Sequence, residues 1–374
     1  MLSAMIRCST QGLAGGVAFS ALALLGGCDD MAGPLRDGAL YDASAHVDAG
    51  SAPDIRPRAD AIVQANPTVV VLPDTQFYAA AYPEIFQAQT GWIRDHRTSA
   101  NLVAVLHEGD IVDTPSDQGQ WQAASDAFAN LDGVVPYFVL AGNHDEDRNR
   151  QGYMNQYFPI TRFSQYGWFG GTFAPNNTEN SYGQVTIGST VWLVLALEFG
   201  PRDAVVAWAD GVLKANAAMP AILVTHAYLY NDGTRYDVNK TPPQSFDPDT
   251  YNYTPLEGVN DGEQLWQKLV LGNENVKLVL SGHCLGDPAN AIPAAARLTS
   301  ARPSGSQVHQ ILANYQICAD LYCCAQYPDL HGGNGYLRLL EFDDANRLLR
   351  VHTYSPYLDQ YVQRDDSEDF TLAW

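Results

Sequence analysis

The sequence predicts an α/β fold whose C-terminal part is rich in β-strands. Two features of the sequence support this class. From residue 66, short runs of β-branched and aliphatic residues alternate with longer amphipathic stretches, a pattern typical of buried strands that alternate with helices. After residue 305, strand-like runs follow one another across turn-rich segments, which favours antiparallel pairing in that region.

The elements can be predicted in order along the chain. Strands are predicted at Thr68–Leu72, Leu102–Leu106, Tyr137–Leu140, Val191–Leu197, Ala221–Thr225, Val276–Ser281, Gln307–Ala313, Gly335–Phe342 and Leu348–Tyr354. Helices are predicted between the early strands, at residues 83–96, 118–131, 203–216 and 261–272. We expect Asp203 and Asp261 to be the N-caps of the last two helices, because aspartate at that position accepts from free amides of the first turn.

The composition is that of an ordinary globular protein with a strong acidic excess. Of the 374 residues, 46% are hydrophobic and 17% are charged, which excludes a wholly disordered or collagen-like chain. Acidic residues outnumber basic ones by 42 to 21, for a formal net charge of −21. Such a surface repels phosphate backbones, so we expect no nucleic-acid partner.

The N-terminus has the pattern of a bacterial export signal. Residues 1–27 contain Arg7 and an apolar stretch from Gly12 to Leu25. The stretch ends in Leu25-Gly26-Gly27-Cys28, which resembles the lipobox of bacterial lipoproteins, in which the matching cysteine is lipidated. The alternative is a transmembrane helix, but the apolar run is too short to span a bilayer. We therefore expect an exported protein, held in the bacterial cell envelope (periplasm or cell surface) through a lipid on Cys28 alone.

The rest of the chain divides into two parts. Residues 28–65 are rich in Ala, Asp, Gly and Pro without an apolar period, which is typical of a flexible tether. Residues 66–374 show neither an internal repeat nor a second linker, so we expect them to form one large domain. The sequence leaves the oligomeric state open.

Polar side chains follow five of the predicted strands at the point where each strand ends. They are Asp74 and Gln76, Asp110 and Asp113, Asn143 and His144, His226, and His283. In α/β sheets the carboxyl ends of parallel strands border the ligand crevice, so we expect these side chains to converge. Glycine stands directly before Asp110, Asn143 and His283, where we expect it to allow a sharp backbone turn.

These motifs resemble those of the calcineurin-like metallophosphoesterases. The matching blocks are Asp74-Thr75-Gln76, Gly109-Asp110-Ile111-Val112-Asp113, Gly142-Asn143-His144-Asp145, His226, and Gly282-His283-Cys284-Leu285. The resemblance implies a four-layer α/β/β/α sandwich and hydrolysis of phosphate monoesters or diesters with two divalent metal ions. It also implies that Asp110 bridges the ions, that Asn143, His226 and His283 complete one site, and that Asp74 and Gln76 belong to the other. His144 would assist the leaving oxygen, and Asp113 would fix the tautomer of His144.

The sequence departs from the family at two positions of the same metal site. Gln76 replaces a histidine, and Leu285 stands where the second histidine of Gly-His-x-His is expected. We therefore expect one tightly bound ion and a weaker second one, drawn from Mn, Fe, Zn or Mg. Asp287 is a candidate replacement ligand or an ordinary loop residue. Cys284 is a thiolate ligand, a small buried thiol or a disulfide partner.

Three further questions stay open at this point. Arg202 is either a phosphate-binding residue or a solvated residue at a helix start. The aromatic-rich segment from Tyr228 to Asn260 is either a substrate lid or a surface excursion. The damaged second metal site also leaves a competing function, a noncatalytic or weakly active surface-binding lipoprotein on the same fold.

Overall fold

The computed structural model describes residues 65–253, 258–286, 294–316, 331–362 and 365–373. Its strands are β1 (Thr68–Leu72), β2 (Leu102–His107), β3 (Tyr137–Phe138), β4 (Phe169–Thr172), β5 (Ser181–Ile187), β6 (Thr190–Leu197), β7 (Ala221–Thr225), β8 (Val276–Ser281), β9 (Ala295–Ala301), β10 (Gln307–Ala313), β11 (Leu337–Asp343), β12 (Leu348–Ser355), β13 (Gln360–Tyr361) and β14 (Phe370–Ala373). Its α-helices are α1 (Gln76–Ala81), α2 (Pro83–His96), α3 (Gln118–Phe128), α4 (Met154–Tyr157), α5 (Ile160–Phe163), α6 (Asp203–Ala215), α7 (Gly262–Leu265) and α8 (Asp365–Glu368). A 3-10 turn covers Pro248–Thr250, and a π-helical turn, Trp266–Val270, follows α7.

The strands form two mixed sheets of seven strands each. In the first sheet, β1, β2 and β3 are parallel neighbours, and β11 and β12 extend the sheet in antiparallel fashion from β1. In the second sheet, β6, β7, β8 and β10 are parallel neighbours, with antiparallel strands at both edges. The parallel strands of each sheet therefore end together at one edge.

Three hydrophobic cores separate four layers. The inner core lies between the sheets, where Val71 and Leu106 of the first pack with Val224 and Leu280 of the second. One outer core joins the first sheet to α1, α2 and α3, and the other joins the second sheet to α6 and α7. This arrangement confirms the predicted four-layer α/β/β/α sandwich.

Four strands have the bounds that the sequence predicted. The bounds of β1, β7, β8 and β10 match the prediction, and the burial of β1 and β7 is complete along their length. The antiparallel prediction after residue 305 is confirmed for β11 and β12, which pair with each other in antiparallel fashion. It is half right for β10, which is antiparallel to β9 but parallel to β8.

The two predicted N-caps have opposite outcomes. Asp261 is confirmed, since its side chain accepts from the amide of Gln264 and the Gln264 side chain accepts from the amide of Asp261. The prediction for Asp203 is wrong, because Asp203 is already the first helical residue. Arg202 occupies the N-cap position, and its side chain makes no capping hydrogen bond. The carboxylate of Asp203 accepts instead from Lys268 and Asn260.

Several sequence predictions fall outside the described residues. They are the export signal at 1–27 with the lipidation site Cys28, nearly all of the tether at 28–65, and Asp287. Within the described part of the chain, no helix has the length and apolar character needed to cross a bilayer.

Candidate metal centre

The five predicted strand ends converge, and they come from both sheets. Asp74 follows β1, Asp110 follows β2 and Asn143 follows β3, all in the first sheet. His226 follows β7 and His283 follows β8 in the second sheet. The side chains meet at the shared carboxyl edge of the two sheets, where Asp74, Asp110, His226 and His283 are all buried.

His226 is oriented by a backbone carbonyl of the neighbouring sheet. Its Nδ1 donates to the carbonyl oxygen of Glu108 at 2.8 Å, so the proton resides on Nδ1 and Nε2 carries a lone pair. Nε2 lies 3.1 Å from Oδ1 of Asn143 and 3.2 Å from Oδ2 of Asp110. The imidazole thus directs a lone pair at two oxygen atoms.

His283 is also oriented by a backbone carbonyl, but through its other ring nitrogen. Its Nε2 donates to the carbonyl oxygen of Phe246 at 2.8 Å, which leaves the lone pair on Nδ1. This Nδ1 lies 3.2 Å from Nε2 of His226. The two rings therefore face each other with unprotonated nitrogens.

This set of donor atoms fits a divalent cation. Ligand atoms of Asp110, His226 and His283 lie within 4.8 Å of one another, and the amide oxygen of Asn143 joins them. Lone pairs that face one another in a buried place repel unless a positive charge lies among them. Imidazole with carboxylate and amide oxygen is a donor set that Mn, Fe and Zn accept.

The pKa values of Asp74 and Asp110 are shifted in opposite directions by burial and by the charges around them. Burial raises the pKa of Asp74 well above its usual range, and the carboxylates of Asp110 and Glu108 raise it further. Burial also acts to raise the pKa of Asp110, but the nearby His226 and His144 outweigh it and hold the pKa below its ordinary value. The centre is acidic, as a site for cations should be.

The glycines of the motifs serve the site in two ways. Gly109 has a φ of 92°, so it makes the sharp turn that we expected. Gly142 and Gly282 instead provide space, because a Cβ at either position would lie 2.1 Å from a carboxylate oxygen, of Asp110 and Asp74 respectively. The expected tight turns are present at these two positions as well, since the carbonyl oxygens of Gly142 and Gly282 accept from the amides of Asp145 and Cys284. Glycine is needed at both for close approach rather than for a positive φ.

Asp145 organises the backbone around the centre, a role that the sequence did not assign to it. Its carboxylate accepts from the amides of Ile111, Val112 and Gly142 at 2.8–3.1 Å. These bonds connect the loop after β2 to the loop after β3, which carry Asp110 and Asn143. Its place in the motif after His144 was the only available signal.

His144 lies beside the cluster and is partly open to solvent. Its amide donates to Oδ1 of Asp110 at 2.9 Å, and its Nδ1 donates to the carbonyl oxygen of Asp113 at 2.8 Å. The carboxylate of Asp113 is farther away, at 3.5 Å from the same nitrogen. Burial acts to lower the pKa of His144, but Asp110, the Asp113 carbonyl and further carboxylates raise it above its ordinary value. The tautomer of His144 is thus fixed mainly by the backbone of Asp113.

The residues predicted for a second ion are only partly assembled. The carboxylate of Asp74 accepts from the amide of His283 and lies 3.9 Å from Nε2 of His226. Gln76 is buried, its Nε2 donates to Asp113 at 3.4 Å, and its Oε1 has no hydrogen-bond partner among the described residues. Leu285 offers no donor atom in its side chain, and its carbonyl accepts from Asn231.

Cys284 is a buried free thiol. Burial raises the pKa of this thiol to about 12, so it stays protonated. Of the alternatives considered for this residue, the small buried thiol is the one that the structure favours.

Arg202 does not direct its charge into the cluster. Its Nε and Nη2 donate to the buried carboxylate of Glu198 at 2.8 and 2.9 Å. The guanidinium also lies over the ring of Phe173. A phosphate-binding role for Arg202 remains a prediction, and the structure gives this side chain a structural partner.

The segment between Tyr228 and Asn260 forms part of the wall of the centre. Tyr251 contacts the ring of Phe199 at a centroid distance of 4.9 Å and that of His283 at 5.8 Å. Tyr236 and Tyr253 of the same segment are buried. The carbonyl of Phe246 was not predictable as the partner of His283, because a backbone oxygen leaves no mark in the pattern of side chains.

"Uncharacterized protein YvnB" of Bacillus subtilis (strain 168) is 34% identical over 320 residues, which are 82% of this chain and 21% of the relative. The chain thus spans about a fifth of the length of this relative.

Two solved structures are also similar. Purple acid phosphatase PPD1 from yellow lupin (Lupinus luteus) seeds has a TM-score of 0.46 and 13% identity, over 83% of this chain and 54% of its own. GAP50, the anchor in the inner membrane complex of Plasmodium, has a TM-score of 0.40 and 12% identity, over 82% and 90% respectively.

The family model described as calcineurin-like phosphoesterase matches residues 67–285. This range contains every motif block from Asp74 to Leu285 and both imidazoles of the cluster. The matched range is more than half of the 374 residues, and this chain therefore belongs to the calcineurin-like phosphoesterase family.

Proposed function

We propose that this chain is a metal-dependent hydrolase of phosphate monoesters or diesters. The observation that carries the proposal is the convergence of Nε2 of His226, Nδ1 of His283, Oδ2 of Asp110 and Oδ1 of Asn143. When divalent ions are bound there, they supply positive charge to phosphoryl oxygens and make hydroxide available at neutral pH. Family membership supports the same class of reaction.

The proposed role of His144 is to give a proton to the leaving oxygen. Its Nδ1 is bonded to the carbonyl of Asp113, so Nε2 is the atom left to face an ester. Its amide is bonded to Asp110, which fixes the distance between the imidazole and the ion-binding carboxylate. About a quarter of its side chain is exposed, whereas the imidazoles of His226 and His283 are buried. A substrate that enters from solvent can therefore reach His144.

We propose that the centre holds one ion tightly and a second one weakly. Asp110, Asn143, His226 and His283 would hold the first. Asp74, Gln76 and the shared Asp110 would hold the second, with Asp287 as a further candidate ligand. The buried Oε1 of Gln76, which lacks a hydrogen-bond partner among the described residues, is an amide oxygen free to bind an ion. An amide oxygen is a weaker ligand than imidazole for Mn, Fe and Zn, and it favours harder ions such as Mg.

We also propose that the enzyme works at the bacterial cell envelope. The support is in the sequence, where the apolar run from Gly12 to Leu25 leads into Leu25-Gly26-Gly27-Cys28. A lipid on Cys28 would anchor the chain, and residues 29–65 would separate the anchor from the domain. Replacing Cys28 with Ala should move the protein from the membrane fraction to the soluble fraction. Unchanged fractionation, together with an unmodified N-terminus by mass spectrometry, would exclude this anchor.

One experiment tests the enzymatic proposal. The purified chain is analysed for bound metal and then assayed with one aryl phosphate monoester and one diester, with Mn and with Mg. We expect hydrolysis of at least one ester, and His144→Ala should lower turnover by at least ~100-fold at unchanged metal content. Tight metal binding without hydrolysis of either ester would instead support the noncatalytic surface-binding function.

A further inference from the structure

A second group of carboxylates lies in the segment that packs over His283. One oxygen from each of Asp247, Asp249 and Asp261 lies within 4.8 Å of the others. Asp247 and Asp261 are buried, whereas Asp249 is exposed at the rim. The three residues take no part in the centre built around His226, so this cluster needs an explanation of its own.

Asp247 carries an independent sign of a missing partner. Its Oδ1 accepts from the amide of Asp249 at 3.0 Å, but its Oδ2 is buried without a hydrogen-bond partner among the described residues. Asp247 as a whole is only 3% exposed, so water reaches this oxygen poorly. A buried carboxylate oxygen without a donor is unfavourable, and a bound cation would relieve it.

The neighbours of the cluster supply little positive charge. The two oxygens of Asp261 accept from the main-chain amides of Gln264 and Val238. The nearby ammonium of Lys268 donates to Asp203 and Asn260 instead. Burial raises the pKa of both Asp247 and Asp249 to about 6, and the carboxylate of Asp261 adds to this in each case. Among the described residues, no side-chain cation is hydrogen-bonded between the three carboxylates, and the charge of Lys268 lowers the pKa of Asp249 only in part.

The chemistry of the donors indicates which ion fits. All three ligands are carboxylates, and the group offers neither imidazole nor thiolate. Hard cations prefer such oxygen ligands, and Ca²⁺ accepts six to eight of them in flexible geometry, with water completing the shell at an exposed rim. We propose that Asp247, Asp249 and Asp261 bind a calcium ion, at a site separate from the catalytic metal centre.

The position of this site gives the ion a structural role. Phe246, directly before Asp247, is the residue whose carbonyl accepts from Nε2 of His283. Asp261 caps α7 and also accepts from the amide of Val238, at the other end of the same segment. Calcium therefore joins two parts of the segment and steadies the carbonyl that orients His283.

The test is calcium binding by the full chain, measured by equilibrium dialysis with ⁴⁵Ca²⁺ from about 10 µM to 10 mM, the range of moderate and weak protein sites. Three variants separate the two centres. Asp249→Asn replaces one proposed carboxylate ligand at an exposed position with a neutral amide, which attracts calcium less strongly. Asp110→Asn disables the catalytic metal centre. Asp126→Asn changes an exposed aspartate on α3 and is the matched control.

We expect Asp249→Asn to weaken calcium binding at least ~10-fold, while Asp110→Asn and Asp126→Asn retain one calcium site of wild-type affinity. Asp247→Asn keeps the shape of the side chain and replaces one oxygen with an amide nitrogen. It should abolish the rise in melting temperature that calcium gives the wild type. Equal calcium affinity in wild type and Asp249→Asn, or loss of all calcium binding in Asp110→Asn, would overturn the proposal.

Discussion

Nε2 of His226 lies 3.2 Å from Nδ1 of His283. The two residues follow neighbouring strands of the same sheet, and a different backbone carbonyl orients each ring. Each ring donates its proton to the backbone, of Glu108 in one case and of Phe246 in the other. The protein therefore fixes both imidazoles as ligands before any ion arrives. Most of the orientation that coordination requires is already present in the polypeptide.

Removal of metal should lower the stability of the fold. Without an ion, the facing lone pairs of His226, His283 and Asp110 are left uncompensated in a buried place. An ion present at a hundred times its dissociation constant stabilises the folded state by about 2.7 kcal/mol. We expect dialysis against a chelator to lower the melting temperature by several degrees and added Mn²⁺ to restore it. In His226→Ala the chelator should have little effect, and a wild type indifferent to chelator would contradict this account.

Gly142→Ala should disable the centre. A Cβ at this position would lie 2.1 Å from Oδ1 of Asp110 and 2.2 Å from its amide nitrogen, so Asp110 must move. Displacement of a catalytic group by about 1 Å costs roughly a hundredfold in rate, which sets the expected loss of turnover. The matched control is Gly211→Ala on α6, where nothing lies within 4 Å of the new methyl group. That variant should keep full activity and gain about 0.5–1 kcal/mol in the free energy of unfolding.

The carboxylate of Asp113 should matter much less than the imidazole of His144. The backbone carbonyl of Asp113, at 2.8 Å, holds Nδ1 of His144, and this bond survives in Asp113→Ala. The lost contacts are a partly exposed ion pair at 3.5 Å, of a kind worth about 0–1 kcal/mol, and a long hydrogen bond of 3.4 Å from Gln76. We expect turnover to fall less than ~10-fold in Asp113→Ala and at least ~100-fold in His144→Ala. Equal losses in the two variants would show that the carboxylate itself is needed.

Adding imidazoles should fill the second ion site. The wild type should retain about one equivalent of metal after dialysis, because Gln76 and Leu285 stand where imidazoles would be needed. The double variant Gln76→His/Leu285→His should retain about two, as measured by elemental analysis. A wild type that keeps two equivalents through the same dialysis would refute the proposed asymmetry.

Arg202→Lys distinguishes the two roles considered for this residue. Lysine keeps the charge but cannot reproduce the paired hydrogen bonds that Nε and Nη2 make to Glu198. We expect a loss of about 1–3 kcal/mol in the free energy of unfolding, with KM for a phosphate ester unchanged. A large rise in KM at unchanged stability would instead support phosphate binding by Arg202.

The strands that could be predicted best from the sequence include those that are buried along their whole length. Strands β1 and β7 are buried at every position, so their bounds could be read from unbroken apolar runs. Strand β5, Ser181–Ile187, escaped because its residues alternate between buried and exposed and include Gly183 and Gln184. Half-buried strands of this kind resemble turn sequence when serine and glycine stand at buried positions and polar residues at the outward ones.

The side chains of the site could be predicted from the sequence, but the backbone groups that orient them could not. Asp110, Asn143, His226 and His283 stand directly after apolar runs, and that position was enough to bring them together. The carbonyls of Glu108 and Phe246 orient the two imidazoles, yet every residue has a carbonyl, so sequence offers no sign of which one is used. The need for close approach at Gly142 was also not predictable, because only the three-dimensional structure shows that the carboxylate of Asp110 fills the space of its missing side chain.

The ligands of the centre come from two sheets that face each other across a hydrophobic core. Sliding one sheet over the other by a single residue would displace the ligands by about 3.3 Å, whereas coordination distances tolerate about 0.2 Å. The affinity for metal therefore depends on how accurately the two sheets are aligned. Apolar residues of the inner core, such as Phe138 and Ile222, take part in setting that alignment without touching an ion. Substitutions in this core should therefore change the affinity for metal even though they leave every ligand in place.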